Sequence, residues 1–268
     1  MAKQLELSEE LATQKIEFER ERRLKLSGKT SNTAKEEIKA NPKFRMLYGR
    51  PTRPLRVGSL FCGIGGFEQA LKFLRVKHKV TFACDSDQHV KQSYLANHGK
   101  KLNDGDWYDD VIDFAEHHAD QYNNKVDLLV GGPPCQSFSI IGKHGGLNDD
   151  RGNLVFEIIE VIRKTRPRIF IFENVKGLLM INDGHAWDVI KEEFHNLGYK
   201  VDWRCLSARD YGIPQSRERL FVIGFRNNSI NYSWPKPWPL EKVMHDLLEE
   251  NTDKKYFLPP KGVKFVTN

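Results

Sequence analysis

From Leu55 onward the chain alternates short apolar runs with amphipathic stretches of helix length, and this alternation limits the fold more than any other feature. Apolar runs of four to eight residues read as buried strands, and the periodic stretches between them as the crossover helices of a parallel sheet. The spacing predicts strands over 56–61, 80–84, 126–130, 168–172, 201–206 and 219–224, with a further short one near 101–103. Helices fit between them. "FEQALKFL" sets Phe67, Ala70, Leu71 and Leu74 on one face, and "NLVFEIIEVIRK" does the same with Leu154, Ile158 and Ile162. "HAWDVIKEEFHNLG" does so with Trp187, Ile190, Phe194 and Leu197, and Gly198 stands as its C-terminal stop. The expected class is α/β, a Rossmann-like sheet with helices on both faces. Past about residue 227 the pattern weakens into "SWPKPWPL" and a short predicted helix near 240–249.

The residues before this region have another texture. Residues 1–56 hold fourteen Lys+Arg against eight Asp+Glu, so the net +6 of the whole chain resides there. Weak helical patterns over 8–26 and 33–40 flank the linker-like "SGKTSN", and "GRPTRP" closes the segment. Such a stretch is either a solvated extension or a basic arm for nucleic acid or a partner subunit. The predicted organisation is a basic, partly helical extension over 1–54, an α/β domain over 55–230 and a C-terminal segment over 231–268. With 39% hydrophobic and 29% charged residues, the chain has no apolar run of membrane-spanning length. The start "MAKQLELSEE" lacks an apolar signal core, so a cytoplasmic location is expected. Four cysteines without a C-x-x-C pair, and nine scattered histidines, predict neither a disulfide framework nor a metal site.

Chemistry-bearing residues fall just past the predicted strands. The first strand ends in "LFCGIGGFEQA", where Gly63, Gly65 and Gly66 make a tight turn that lets backbone approach a bound nucleoside. The second ends in "CDSD", where Asp85 can accept hydrogen bonds from ribose hydroxyls. "DLLVGGPPCQSFSIIGKHGG" places Cys135 just beyond an apolar run, on a Gly-Gly-Pro-Pro turn, where a reactive thiol would sit and a packing cysteine would not. "RIFIFENVKGLL" ends its strand in Glu173 and Asn174. In open parallel sheets, ligands bind beyond the carboxyl ends of the strands, so Cys135 and Glu173 share one edge. In "ARDYGIPQSRERLFVIGF", Arg217 and Arg219 alternate ahead of an apolar run and are expected to point the same way.

These stretches resemble the DNA cytosine carbon-5 methyltransferases of bacterial restriction-modification systems. "LFCGIGGF" is similar to the family's motif I, "GGPPCQSFS" to motif IV, "FENVKGL" to motif VI and "DYGIPQSRERLFVIGF" to motif VIII, and the likeness runs from about Leu55 to Arg226. The resemblance implies S-adenosylmethionine as cofactor and duplex DNA as substrate, with the target cytosine flipped out of the helix. It implies Cys135 as nucleophile, Glu173 as the acid at the flipped base, and Arg219 with Arg217 near the base carbonyl. It implies a cofactor pocket from Phe61, Gly63, Ile64, Gly65, Gly66, Asp85, Ser86, Asp106, Trp107 and Pro134. Pro134, Gln136 and Asn174 would meet the DNA, as would Ser139 and Lys143 on a glycine-flanked loop (Gly142, Gly145, Gly146) that closes as a lid. Two departures stand out. Ser86 occupies a position where the family often stacks an apolar or aromatic residue on adenine. The family's target-recognition domain and motifs IX and X find no match here, so a second polypeptide supplying them is expected. Their absence is expected to expose apolar surface near Phe61 and Phe67. An RNA cytosine methyltransferase, or a non-catalytic binding subunit, stays open as an alternative.

Overall fold

The computed structural model describes residues 53–99, 102–103, 105–134, 154–249 and 252–259. The predicted helices over 8–26 and 33–40 lie outside these residues, as does the lid loop. Seven strands form one sheet: β1 (Leu55–Leu60), β2 (His78–Cys84), β3 (Trp107–Tyr108), β4 (Leu128–Gly131), β5 (Ile169–Val175), β6 (Lys200–Ser207) and β7 (Glu218–Phe225). Their order is β3-β2-β1-β4-β5-β7-β6. Six strands run in one direction, and β7 alone is reversed, antiparallel to both β5 and β6. The expectation of a parallel sheet is therefore corrected at β7. The short strand expected near 101–103 is β3, at Trp107–Tyr108, paired with Ala83 and Cys84.

Side chains alternate across the sheet. One face is covered by α1 (Gly66–Phe73) and α2 (Gln88–His98), with Val57, Val130 and Leu71 in one cluster and Val80, Ala83 and Tyr94 in another. The opposite face carries a larger core under α3 (Val111–Asp113), the turns that continue it to Tyr122, α4 (Leu154–Thr165) and α5 (His185–Asn196). Leu60, Phe82, Leu129, Phe170, Phe172 and Val222 meet Ile158, Ile162, Ile190 and Phe194 there. Helix α5 ends as expected: Gly198 takes φ 81°, its N–H donates to the His195 carbonyl, and the Tyr199 N–H to that of Phe194. Helix α1 differs from expectation. Phe67 and Leu71 turn inward, but Ala70 and Leu74 face outward and Glu68 takes a fully buried position. The short helix near 240–249 is a single 3-10 turn, Met244–Leu247.

The chain divides into two compact units. The sheet, with residues up to Ser207 and Glu218–Pro235, is one; Ala208–Arg217 and the residues from Lys236 belong to the other. In the smaller unit the Trp238 N–H donates to the Asp210 carbonyl, and the Tyr211 and Trp238 rings meet edge to face at 5.2 Å.

Candidate functional site

Beyond β1 the chain reverses into α1 within five residues. It does so through left-handed backbone at Phe61 (φ 49°), Gly63 (φ 52°) and Gly65 (φ 85°). Glycine adopts that region at no steric cost, and Phe61 only with strain. A Cβ added at Gly63 or Gly66 would meet nothing within 4 Å, so the front of the turn is open. The back of the turn is closed: a Cβ at Gly65 would lie 2.3 Å from His98 Nε2. Asp85, at the end of β2, clamps the turn, since its Oδ2 accepts from the Gly63 N–H at 2.9 Å and its Oδ1 from the Asp87 N–H at 3.2 Å. Asp87 in turn caps α2, and hydrogen bonds from the Val90 and His89 N–H groups hold its carboxyl below the usual range.

Residues that the sequence reading did not single out secure this turn. His98 Nε2 lies 3.3 Å from the Ile64 carbonyl. Four residues earlier on α2, the Tyr94 hydroxyl donates to Glu68 Oε1 at 2.8 Å, and burial pushes its pKa well up. Tyr94 and Glu68 are both fully buried. Two inward polar residues one helical turn apart therefore tie α2 to α1 and to the glycine turn.

Asp106 is braced on both oxygens, by the Tyr122 hydroxyl at 2.8 Å and the Asn103 amide at 2.7 Å. The Trp107 ring packs on Tyr94 at 5.4 Å, under Lys91 at 5.6 Å, and its Nε1 donates to Asp109 at 2.8 Å. Ser86 is exposed between Asp85 and the α2 cap. Each carboxylate oxygen has a second lone pair, so Asp85 and Asp106 can still accept from a ribose and an amine. An open-fronted glycine turn flanked by these two carboxylates fits S-adenosylmethionine.

At the adjoining strand ends the arrangement is different. Gly131 of β4 pairs with Phe172 of β5, and Gly132 then lies beside Glu173. A Cβ at Gly132 would come 2.8 Å from Glu173 Oε2, so the carboxylate occupies space that only glycine leaves. Asn174 is buried; its amide donates to the Pro133 carbonyl at 3.1 Å and fixes the direction of the Gly-Gly-Pro-Pro turn. Glu173 Oε1 pairs with Arg219 Nε at 3.1 Å. The register explains this: Arg219 opposes Val175, which puts it diagonal to Glu173 on the same face. Arg217 precedes β7 and stands outside its ladder, so the expected alternation with Arg219 does not apply. In the smaller unit its N–H donates to the Gln215 carbonyl, and its carbonyl accepts from Ala208.

Pro134 is exposed at the end of the described turn, and Cys135, Gln136, Ser139 and Lys143 lie outside the described residues. The other cysteines are not poised to react. Burial pushes the Cys62 thiol up, raises Cys84 to about 12, and raises half-buried Cys205. Among the described residues no group of His, Cys, Asp and Glu is arranged to hold a metal, and no helix is long and apolar enough to cross a membrane.

Phe61 and Phe67 themselves pack against the core, and an exposed apolar surface lies next to them, through Ile64 and Gly66. It is a groove between α1 and α2, where Ile64 (69% exposed) and Phe73 (58%) flank Gly66, Gln69 and Ala70.

A family model described as C-5 cytosine-specific DNA methylase matches residues 55–261. The orphan methyltransferase M.SPRI of Bacillus phage SPR is 35% identical over 236 residues, which cover 76% of this chain and 52% of that protein. The orphan methyltransferase M.Rho11sI of Bacillus phage rho11s is 37% identical over 213 residues (79% and 40%). The type II methyltransferase M.HhaI of Haemophilus parahaemolyticus is 34% identical over 220 residues (80% and 63%). The chain thus spans about half the length of the curated relatives it matches. Among solved structures, a DNMT2 of Spodoptera frugiperda superposes with a TM-score of 0.65 at 20% identity, covering 80% of this chain and 65% of that one. A prophage-encoded DNA modification methyltransferase of E. coli does so at 0.58 and 26% identity, covering 77% and 56%.

Proposed function

Because the chain belongs to the C-5 cytosine-specific DNA methylase family, we propose that it transfers a methyl group from S-adenosylmethionine to carbon-5 of a cytosine flipped out of a specific duplex DNA sequence. One observation carries the reading. The sheet order lines up, along one edge, the glycine turn after β1, the Pro133–Pro134 turn after β4, Glu173 on β5 and Arg219 on β7. Neighbouring strands lie ~4.8 Å apart, so four such ends span only ~15 Å, about the size of a cofactor and one base side by side.

When bound, S-adenosylmethionine supplies an electrophilic methyl on a sulfonium. The chain's own residues prepare the acceptor. Carbon-5 of cytosine becomes enamine-like only after a nucleophile bonds to carbon-6, and a thiolate suits this as both nucleophile and leaving group. Cys135 comes directly after the turn that Asn174 anchors, and in this reading its thiolate is the nucleophile. Glu173, beside Arg219, acts as the acid: it gives a proton to N3 as the sulfur–carbon bond forms and takes it back as the thiolate leaves. Arg219 faces the base carbonyl. After carbon-5 gains its methyl it loses its proton to a base, and the Cys135 thiolate is expelled as the double bond returns. Ser139 and Lys143 contact DNA phosphates when their loop closes. The target carbon is unreachable in a stacked duplex, so flipping precedes these steps. A reducing cytoplasm suits a free nucleophilic thiol.

We further infer that target recognition comes from a second polypeptide, one element of which covers the α1–α2 groove. The exposed Ile64 and Phe73 support this, because an apolar groove directly behind a cofactor turn is unusual for a surface left in water. The test measures transfer of radiolabelled methyl groups to duplex DNA and to RNA. It uses the chain alone and the chain purified with the product of the adjacent reading frame. Labelling of duplex DNA at cytosine carbon-5, much faster with the partner, is expected. Labelling of RNA alone would overturn the substrate, and full sequence-specific activity of the isolated chain would overturn the partner.

A further inference from the structure

We propose that the edge of the sheet opposite the catalytic strand ends is a second nucleic-acid surface, which grips the phosphate backbone of duplex DNA without reading its sequence. The observation is a stripe of positive charge that crosses six adjacent strands in the order β2-β1-β4-β5-β7-β6. At the sheet's centre, β1 is led by Arg53 and Arg56, β4 by Lys125, and β5 by Arg166 and Arg168. On one flank β2 is led by Lys77 and also carries Lys79. On the other, β6 opens with Lys200, and antiparallel β7 brings Arg226 to the same edge as it ends.

Contacts bind the centre of the stripe into one surface. The Arg226 N–H donates to the Arg168 carbonyl at 3.0 Å, and its guanidinium to the Arg166 carbonyl at 2.6 Å and to Asn124 Oδ1 at 2.7 Å. Arg56 reaches the Asn124 carbonyl at 3.0 Å. A single carboxylate, Asp127, stands at the strand starts, and Arg53 and Arg56 share it at 2.7 and 3.1 Å. Bonds to neutral carbonyls orient a guanidinium without cancelling its charge. Two arginines on one carboxylate leave a net positive charge even at the stripe's most neutralised point.

A structural explanation covers part of this. Cations favour helix C-termini, and Arg166 donates to the Leu197 carbonyl just past α5. That accounts for Arg166. It does not account for Lys77, Lys79, Lys125 and Arg168, which are exposed and pair with no carboxylate of the described residues.

The dimensions favour a nucleic-acid backbone. Six strands at ~4.8 Å span ~24 Å, which is about seven ~3.4 Å base-pair steps of duplex axis, so a few phosphates of a strand that winds past can lie along the stripe. Arginine forks match phosphate geometry. In the sequence, residues 1–56, which lead into β1, carry the same sign of charge. Along β5 the five residue steps from Arg168 to Glu173, at ~3.3 Å each, separate this edge from Glu173 by roughly 16 Å. It therefore contacts a different stretch of DNA from the one that supplies the flipped base. Its effect is to hold the enzyme on DNA while the catalytic edge searches. This rests on the reading of the substrate as duplex DNA.

The test measures binding of the full chain to a fluorescent (dA)·(dT) duplex, which offers no cytosine, over 50–300 mM salt. A variant combining Lys77→Ala, Lys79→Ala, Lys125→Ala and Arg168→Ala is compared with the parent. Each lost phosphate contact lowers the slope of log Kobs against log salt by ~0.9. The proposal predicts a slope about 2–4 smaller, and affinity at least about tenfold weaker at the lowest salt. Unchanged thermal melting and unchanged S-adenosylhomocysteine binding would show that the variant folds. Should the combined variant melt early, Arg168→Glu and Lys125→Glu, made singly, must each lower the slope. An unchanged slope overturns the proposal. So does loss of polyglutamate binding with duplex binding intact, which would mark the edge as a site for an acidic protein. Because the readout is binding, it stands or falls apart from methyl transfer.

Discussion

At the end of β1 the backbone is held from several sides: Asp85 grips the Gly63 N–H, His98 closes the space behind Gly65, and Tyr94 anchors Glu68 beneath the first turn of α1. At the ends of β4 and β5 the contacts between described residues are of another kind. One ion pair links Glu173 to Arg219, one amide links Asn174 to Pro133, and beyond Pro134 the turn leads to Cys135. The first region is a pocket whose shape is set before anything binds. The second presents a pair of charged groups that stay partly open to water. In the proposed reaction this difference has a use. The cofactor meets a preformed cradle, whereas the base arrives by flipping and needs room until the loop closes over it.

The sharpest way to separate the two regions is Cys135→Ser. Methyl transfer is expected to fall to background, because a hydroxyl has neither the nucleophilicity nor the leaving ability of a thiolate. S-adenosylhomocysteine affinity, measured by calorimetry, is expected to stay unchanged, since the cradle stands on β1 and β2. A duplex carrying 5-fluorocytosine should trap the parent covalently and leave the serine variant free. A variant that methylates at the parent's rate removes Cys135 from the mechanism.

Glu173→Gln is expected to have the next largest effect, slowing single-turnover transfer by roughly 10²–10⁴-fold, with cofactor binding again unchanged. The amide fits beside Gly132 but loses the ion pair with Arg219. Asp85→Ala should do the reverse. Losing the Gly63 clamp and a charged acceptor is worth about 1.5–3 kcal/mol, so cofactor affinity should drop about 10–10²-fold while the rate at saturating cofactor changes little. If both variants affect cofactor affinity equally, the two regions are not independent and the contrast fails.

The contrast also explains what could be read from the sequence. Strand ends with a distinctive residue were legible: the glycine turn, Asp85, Glu173 and Arg219 all lie where the alternation of runs placed them. The direction of β7 was not, because "RLFVIGF" reads alike in either orientation and only its partners settle it. Two-residue β3 is too short to show a period. Helix α2 was placed by nothing but the gap it fills. Its inward residues include Tyr94 and His98 where apolar ones would signal a helix, and those are the residues that hold the glycine turn. Polar residues whose work is to position another loop carry no periodic signature. Arg217 is a different case: β7 begins at Glu218, so the strand's alternation does not by itself fix where Arg217 points.

The smallest expected effect belongs to the edge farthest from the chemistry, and it is read as stability. Burial of the Asp127 carboxylate (2% exposed) opposes its ionisation, but hydrogen bonds from Arg53 and Arg56 outweigh that and hold its pKa well below the ordinary value near 3.9. A carboxyl whose folded pKa is depressed contributes stability that is fully present above the unfolded value and is lost as pH falls toward the folded one. Chemical denaturation at several pH values should therefore show the parent losing stability progressively below about pH 5. Asp127→Asn should lose about 1–3 kcal/mol at neutral pH, the range for hydrogen bonds to a charged group, with exposed Arg53 favouring the lower part. Its remaining loss between pH 5 and 3 should be shallower than the parent's. Methyl transfer per folded molecule should be unchanged, because this edge touches neither pocket. A parallel pH dependence in the two proteins would show that the arginines gain nothing from the buried carboxylate, and that β1 and β4 are joined there by their backbone ladder and packing.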